Sequence, residues 1–155
     1  MDLPIDKLEK YMKLTQNIAT IFSKDPSTKV GALFLSNKSH RVLSMGYNGM
    51  PRGFDETITS RWCRPIKYMY VEHAERNAIY NACRSGVPLE DSTAFVTLFP
   101  CTECIRAMIQ SGVKMIVTLE ITDDVSEQWR ENFKYSMEIA NECGIVVKFL
   151  KDVSK

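Results

Sequence analysis

The chain has 155 residues, 45% of them hydrophobic, and its 20 Lys and Arg against 19 Asp and Glu leave a net charge of +1. That length predicts one globular domain over residues 1–155, with room for one core and not two. The charge balance argues against a broad nucleic-acid or anionic-membrane face, and no run reaches 18 apolar residues. The start, "MDLPIDKLEK", lacks the apolar stretch of a secretion signal, so a cytosolic location is expected.

In chain order, Ile5, Leu8, Met12, Thr15, Ile18, Ala19 and Phe22 recur at helical spacing, and "KDPS" with Pro26 stops that helix. "VGALFL" (30–35) and "RVLSMGY" (41–47) predict two strands joined by "SNKSH" as a hairpin. Residues 48–70 have no period and carry Gly49, Pro51, Gly53 and Pro65, a loop long enough to be functional. A helix is predicted from 73 to about Arg84, ended by Gly86. "TAFVTLF" (93–99) predicts a strand, 101–112 a helix between Pro100 and Gly112, and "KMIVTLE" (114–120) a strand. Ser126 is the predicted cap of a helix over 126–143, with Gly144 at its end, and "IVVKFL" (145–150) is the last strand. The order αββαβαβαβ implies an α/β fold whose later strands run parallel between helices on both faces.

The chemistry concentrates at two of those helix starts. "VEHAERNAIY" puts His73 two residues before Glu75. In a helix body such positions lie about 200° apart, but at the first turn both reach a ligand beyond the helix mouth. "FPCTEC" then places Cys101 and Cys104 at the next helix start, where the dipole favours thiolate. One nitrogen and two sulfurs leave a tetrahedral zinc an open corner for water, the pattern of catalytic rather than structural sites. Glu75 is then free to carry protons for that water.

Taken singly, Cys-x-x-Cys also fits a redox pair, and His73 a capping or packing residue. Together, His-x-Glu and a Pro-Cys-x-x-Cys, with residues 74–100 between His73 and Cys101, form the signature of zinc-dependent nucleobase deaminases. Five cysteines is an odd count for a disulfide framework, which favours reduced thiols or metal ligands. Cys83 and Cys143, on apolar helix segments, are expected in the core. Cys63 lies in the long loop with only His40 as a spare histidine, so a second zinc is not expected.

With "SKDPSTKVG" (23–31), "GYNGMPRG" (46–53), "YVEHAERNAIYNA" (70–82) and "LFPCTECIRAMIQSGV" (98–113), the chain resembles the deoxycytidylate (dCMP) deaminases of the zinc-dependent cytidine deaminase superfamily. The resemblance implies a three-layer α-β-α cytidine deaminase-like fold with a five-stranded mixed sheet. It implies one catalytic Zn²⁺ on His73, Cys101 and Cys104, and Glu75 as proton shuttle in converting dCMP to dUMP for thymidylate synthesis. The Ala74 N–H would hold the pyrimidine O2, the Phe99 carbonyl the leaving amino group, and Asn48 the sugar 3′-hydroxyl. Lys24, Ser27, Thr28 and Lys29 stand where a 5′-phosphate is expected. Many family members carry a tyrosine after the fourth strand; here "EITDDVS" places Thr122 and Asp123 in that region.

Some relatives hold a second zinc, but the corresponding positions around Asp25 and Val71 are not ligands. Many are hexamers activated by dCTP and inhibited by dTTP with Mg²⁺. This chain keeps Tyr47, Asn48, Gly49 and Arg52 of the effector loop and has Arg84 at the end of the catalytic helix. The resemblance thus implies a nucleotide-binding cytoplasmic homo-oligomer, in host cytoplasm for a viral source, without nucleic-acid or membrane partners. The alternatives are a bifunctional dCMP/dCTP deaminase, a tRNA adenosine deaminase, and a non-catalytic zinc scaffold.

Overall fold

In β1 (Gly31–Ser36) both faces are buried: Ala32 and Phe34 point into one core, Leu33 and Leu35 into another. Such an unbroken apolar strand belongs inside a sheet, not at its edge. β3 (Ser92–Val96) and β4 (Val113–Leu119) repeat the split, with Ala94, Val96 and Ile116 facing the first core and Phe95, Met115 and Val117 the second. β2 (Val42–Tyr47) alternates between exposed and buried positions, as an edge strand should. β5 (Val146–Leu150) forms the other edge.

The computed structural model describes residues 3–152. The sheet order is β2-β1-β3-β4-β5. β1 pairs antiparallel with β2 and β3, while β3, β4 and β5 run parallel. α1 (Ile5–Phe22) buries Leu8, Met12, Ile18 and Ala19, and packs on the face carrying Leu33 and Phe95. α2 (Ala74–Arg84), α3 (Thr102–Gln110) and α4 (Glu127–Glu142) cover the opposite face through Ala78, Ala82, Ile105, Met108 and Ala140. This is the expected three-layer α-β-α architecture with a five-stranded mixed sheet.

Several local expectations need correction. β3 ends at Val96, so residues 97–99 leave the sheet instead of extending it. The long segment after β2 contains two short 3₁₀ turns, Thr59–Trp62 and Ile66–Met69. Ser126 occupies the N-cap of α4, but its side chain makes no capping bond. Cys83 and Cys143 are exposed, not packed in the core. The buried stripe of α2 runs Ala74, Ala78, Ala82, and Cys83 falls off it by one position. Cys143 keeps the spacing of the α4 stripe Phe133, Ser136, Ala140, but is the C-cap, where the chain turns away through Gly144. No helix among the described residues is long and apolar enough to cross a membrane.

Candidate metal centre

His73 and Cys101 occupy the N-cap positions of α2 and α3, both with extended backbone and no side-chain capping bond. Ser, Thr, Asp or Asn usually stands there to satisfy the first-turn amides. Here an imidazole and a thiol take those places and converge instead of capping. The Nδ1 of His73 lies 3.5 Å from the Sγ of Cys101 and 3.4 Å from the Sγ of Cys104. All three donor atoms fall within 4.8 Å of one another. A tetrahedral zinc with Zn–N about 2.0–2.1 Å and Zn–S about 2.3 Å requires N···S edges of roughly 3.5–3.6 Å. The residues therefore fit that ion in donor type and spacing.

The hydrogen bond from Cys104 lowers the Cys101 thiol to about 4, with burial opposing and His73 assisting. Cys104, which donates that bond, is raised by it and by burial. The Cys101 contact raises His73 despite burial. Binding a divalent cation would bring off the second thiol proton. Glu75 is only 4% exposed, and burial raises its pKa against the opposing charge of His73. A carboxyl poised above its usual range is suited to both accepting and returning a proton.

Four contacts hold the helix mouths. Glu72 accepts from the His73 N–H at 2.9 Å and from the Arg76 Nε at 2.6 Å, and Arg76 also pairs with Glu103 on α3. From α4, Asn132 Oδ1 accepts the Thr102 N–H at 3.0 Å. Sequence reading missed this clamp because its members are surface-type charges that only the fold brings together.

His73 and Cys101 of the triad open into a cavity of about 590 Å³, with Cys104 buried behind them. Val30 before β1, Asn48 after β2, Phe99 after β3 and Thr122 after β4 all line it. The strand directions put these four positions on one edge of the sheet, at the carboxyl ends of the parallel strands, where α/β sheets bind ligands. His73, Ala74, Glu75 and Cys101 line the same space. Ala74 is the first residue of α2, so its N–H has no intrahelical acceptor. Phe99 is buried, its ring stacked on Phe149 at 5.7 Å and edge-on to Phe133 at 5.4 Å.

The amide of Asn48 is fully engaged. Its Oδ1 accepts from Ser23 Oγ and the Val30 N–H, both at 2.8 Å. Its Nδ2 donates to the Thr28 carbonyl at 2.8 Å and to Asp25 Oδ2 at 3.3 Å.

The expected phosphate cluster divides. Thr28 lines the cavity, but Lys24 and Lys29 do not. Lys24 pairs with Glu56, and Lys29 donates to the Thr20 carbonyl at 3.4 Å. Ser27 is occupied with Asp25 and Lys67. Arg64, Lys67, Tyr68 and Trp129, which the sequence did not single out, do line the cavity. Of the expected effector residues only Asn48 reaches it. Tyr47 stacks on Phe22, Gly49 pairs with Glu72, Arg52 bonds Asn81, and Arg84 is exposed at the end of α2.

Residues 5–120 match the family described as the cytidine and deoxycytidylate deaminase zinc-binding region. The chain is 38% identical over 142 residues to an uncharacterized deaminase in the luxG 3′ region of Aliivibrio fischeri, covering 92% of each. It is 39% identical over 101 residues to the deoxycytidylate deaminase of Homo sapiens, covering 61% of this chain but 54% of that one. The chain thus spans about half the length of this human relative. Crystal structures of the dCMP deaminase of cyanophage S-TIM5 superpose over 96% of the chain. The apo form gives a TM-score of 0.73 at 26% identity and covers 100% of that structure. The form with dCMP and dUMP gives 0.76 at 24% and covers 99%.

Proposed function

Because the chain belongs to the cytidine and deoxycytidylate deaminase zinc-binding family, we propose that it hydrolyses dCMP to dUMP and ammonia. The observation that carries this reading is a buried carboxyl, Glu75, which lies outside the N,S,S triad yet lines the same cavity as His73 and Cys101. A zinc ion held by His73, Cys101 and Cys104 would supply Lewis acidity, bringing the pKa of a water toward about 7.

The chain's residues supply the rest. The Ala74 N–H holds the pyrimidine O2 and so sets C4 toward the triad. Glu75 takes a proton from the attacking water and delivers it to N3. It then carries the second proton to the amino nitrogen, which leaves as ammonia while the C4 carbonyl forms. The Phe99 carbonyl accepts from the amino group and orients its departure. Asn48 frames the sugar end; a 3′-hydroxyl would replace its 3.3 Å link to Asp25, the longest of its four bonds.

The same reading makes residues 1–155 one domain of a cytoplasmic homo-hexamer whose dUMP feeds thymidylate synthesis. dCTP would activate it, and dTTP with Mg²⁺ would inhibit it, through Tyr47, Asn48, Gly49, Arg52 and Arg84. The position of all of these but Asn48 outside the cavity supports an effector site separate from the substrate's.

A turnover panel of zinc-loaded protein over dCMP, dCTP, CMP and deoxycytidine tests the proposal. dCMP should be the best substrate, and Glu75→Ala should keep zinc yet lose at least ~10²-fold in rate. dTTP with Mg²⁺ should slow dCMP turnover below saturation. An E75A variant as fast as the parent, or a preference for dCTP, would contradict the assignment.

A further inference from the structure

We propose that Arg64 is the cation that receives the 5′-phosphate of the nucleotide, and so the residue that distinguishes nucleotide from nucleoside. The inference rests on reading the cavity as a nucleotide site and adds the phosphate contact to it.

Charge accounting points to this residue. Apart from His73 in the metal triad, the cationic side chains lining the cavity are Arg64 and Lys67. Lys67 is already committed. Its ammonium donates to Asp25 Oδ2 at 2.8 Å, Asp25 Oδ1 at 3.2 Å and Ser27 Oγ at 2.8 Å, which takes up its three protons. The carboxylate also cancels its charge, and the pair is buried.

Arg64 differs on each count. Its Nε donates to Tyr68 Oη at 2.9 Å and an Nη to Thr28 Oγ1 at 3.2 Å. Both partners are neutral hydroxyls, and no carboxylate among the described residues pairs with it. A guanidinium has five N–H donors, so three remain for an anion, in the planar fork that matches phosphate oxygens.

The side chain is also aimed. Tyr68, which holds the Nε, rests edge-on against Trp129 across 6.5 Å, and both rings line the cavity. Thr28, which holds the Nη, passes its carbonyl to Asn48 at 2.8 Å. Arg64 is thereby tied to the sugar end of the cavity through Thr28 and Asn48. Lys24 and Lys29 stay outside it, paired elsewhere. Asp124 also lines the cavity, so its negative charge stands in the same space as the one guanidinium without a carboxylate partner. That provision suits a single phosphoryl group better than three.

The test is calorimetric binding of dUMP and of deoxyuridine to zinc-loaded wild type, Arg64→Gln and Arg64→Lys. The readout is the ratio of the two affinities, which a merely structural role would leave unchanged because both ligands would weaken together. The ratio should fall about 10- to 100-fold in R64Q, the scale of one charge-assisted hydrogen-bonded contact. R64K should recover part of it, keeping the charge but not the fork. A wild type that prefers dUMP, with R64Q keeping that preference in full, overturns the assignment of Arg64 alone. A wild type that binds neither ligand overturns the nucleotide reading of the cavity and the phosphate contact with it.

Discussion

Asp25 and Lys67 stand 42 residues apart in the chain, yet form an ion pair whose side chains are 1% and 5% exposed. Burial alone would raise the Asp25 pKa. The Lys67 hydrogen bond and the N–H groups of Ser27 and Thr28 outweigh it and hold the carboxyl below its ordinary 3.8. Its contribution to stability is therefore present in full above about pH 3.8 and is lost as pH falls through the lower folded-state value. Lys67→Met would leave a buried carboxylate unpaired, at a cost of about 3–5 kcal/mol. Urea unfolding should show that deficit at about pH 7 and a smaller one well below the ordinary carboxyl value of 3.8, where the variant's unpaired carboxyl is protonated; an equal deficit at both would contradict the pairing. Such a pair was not legible in the sequence, because neither residue carries a local signal that names the other. The metal triad was legible, because His73 with Glu75, and Cys101 with Cys104, are each neighbours at a helix start. Lys24 and Lys29 misled for the opposite reason: nearness in sequence to Thr28 says nothing about which side chains turn outward to Glu56 and Thr20.

Beside the contacts between the helix mouths, α2 is fixed by its tight seat on β2. Ser44 Oγ donates to the Ala78 carbonyl at 2.7 Å, Asn77 Nδ2 to the Tyr47 carbonyl at 2.9 Å, and Asn81 Nδ2 to the Met45 carbonyl at 2.8 Å. At Gly46 the approach leaves no space for a side chain: a Cβ there would collide with the Ala74 carbonyl oxygen and the Ala78 nitrogen. Gly46→Ala must push α2 outward, and His73 with it. The variant should lose about 1–3 kcal/mol of stability, the usual scale of overpacking. Its zinc affinity, read by chelator competition, should drop at least about tenfold; unchanged affinity would show that the helix mouth is not set by this contact. Helical periodicity and short apolar runs place the helices and strands in the sequence, because each helix buries one stripe and the inner strands β1, β3 and β4 bury both faces. The segment from 48 to 70 has no such stripe, and the cavity residues Arg64, Lys67 and Tyr68 lie within it.

Across the whole molecule, the parallel β3 and β4 and the antiparallel β1 and β2 deliver their loops to one edge, and the cavity lies there. The sheet order explains why residues as distant as Val30, Asn48, Phe99 and Thr122 share one space. On the proposed function, this edge holds one zinc through three side chains and leaves a fourth corner to solvent and substrate. Zinc K-edge X-ray absorption on metal-quantified protein tests it directly. One zinc per chain is expected, with one imidazole nitrogen, two sulfurs and one light non-protein donor. Protein that retains no zinc, or a shell closed by a fourth protein side chain, would contradict it.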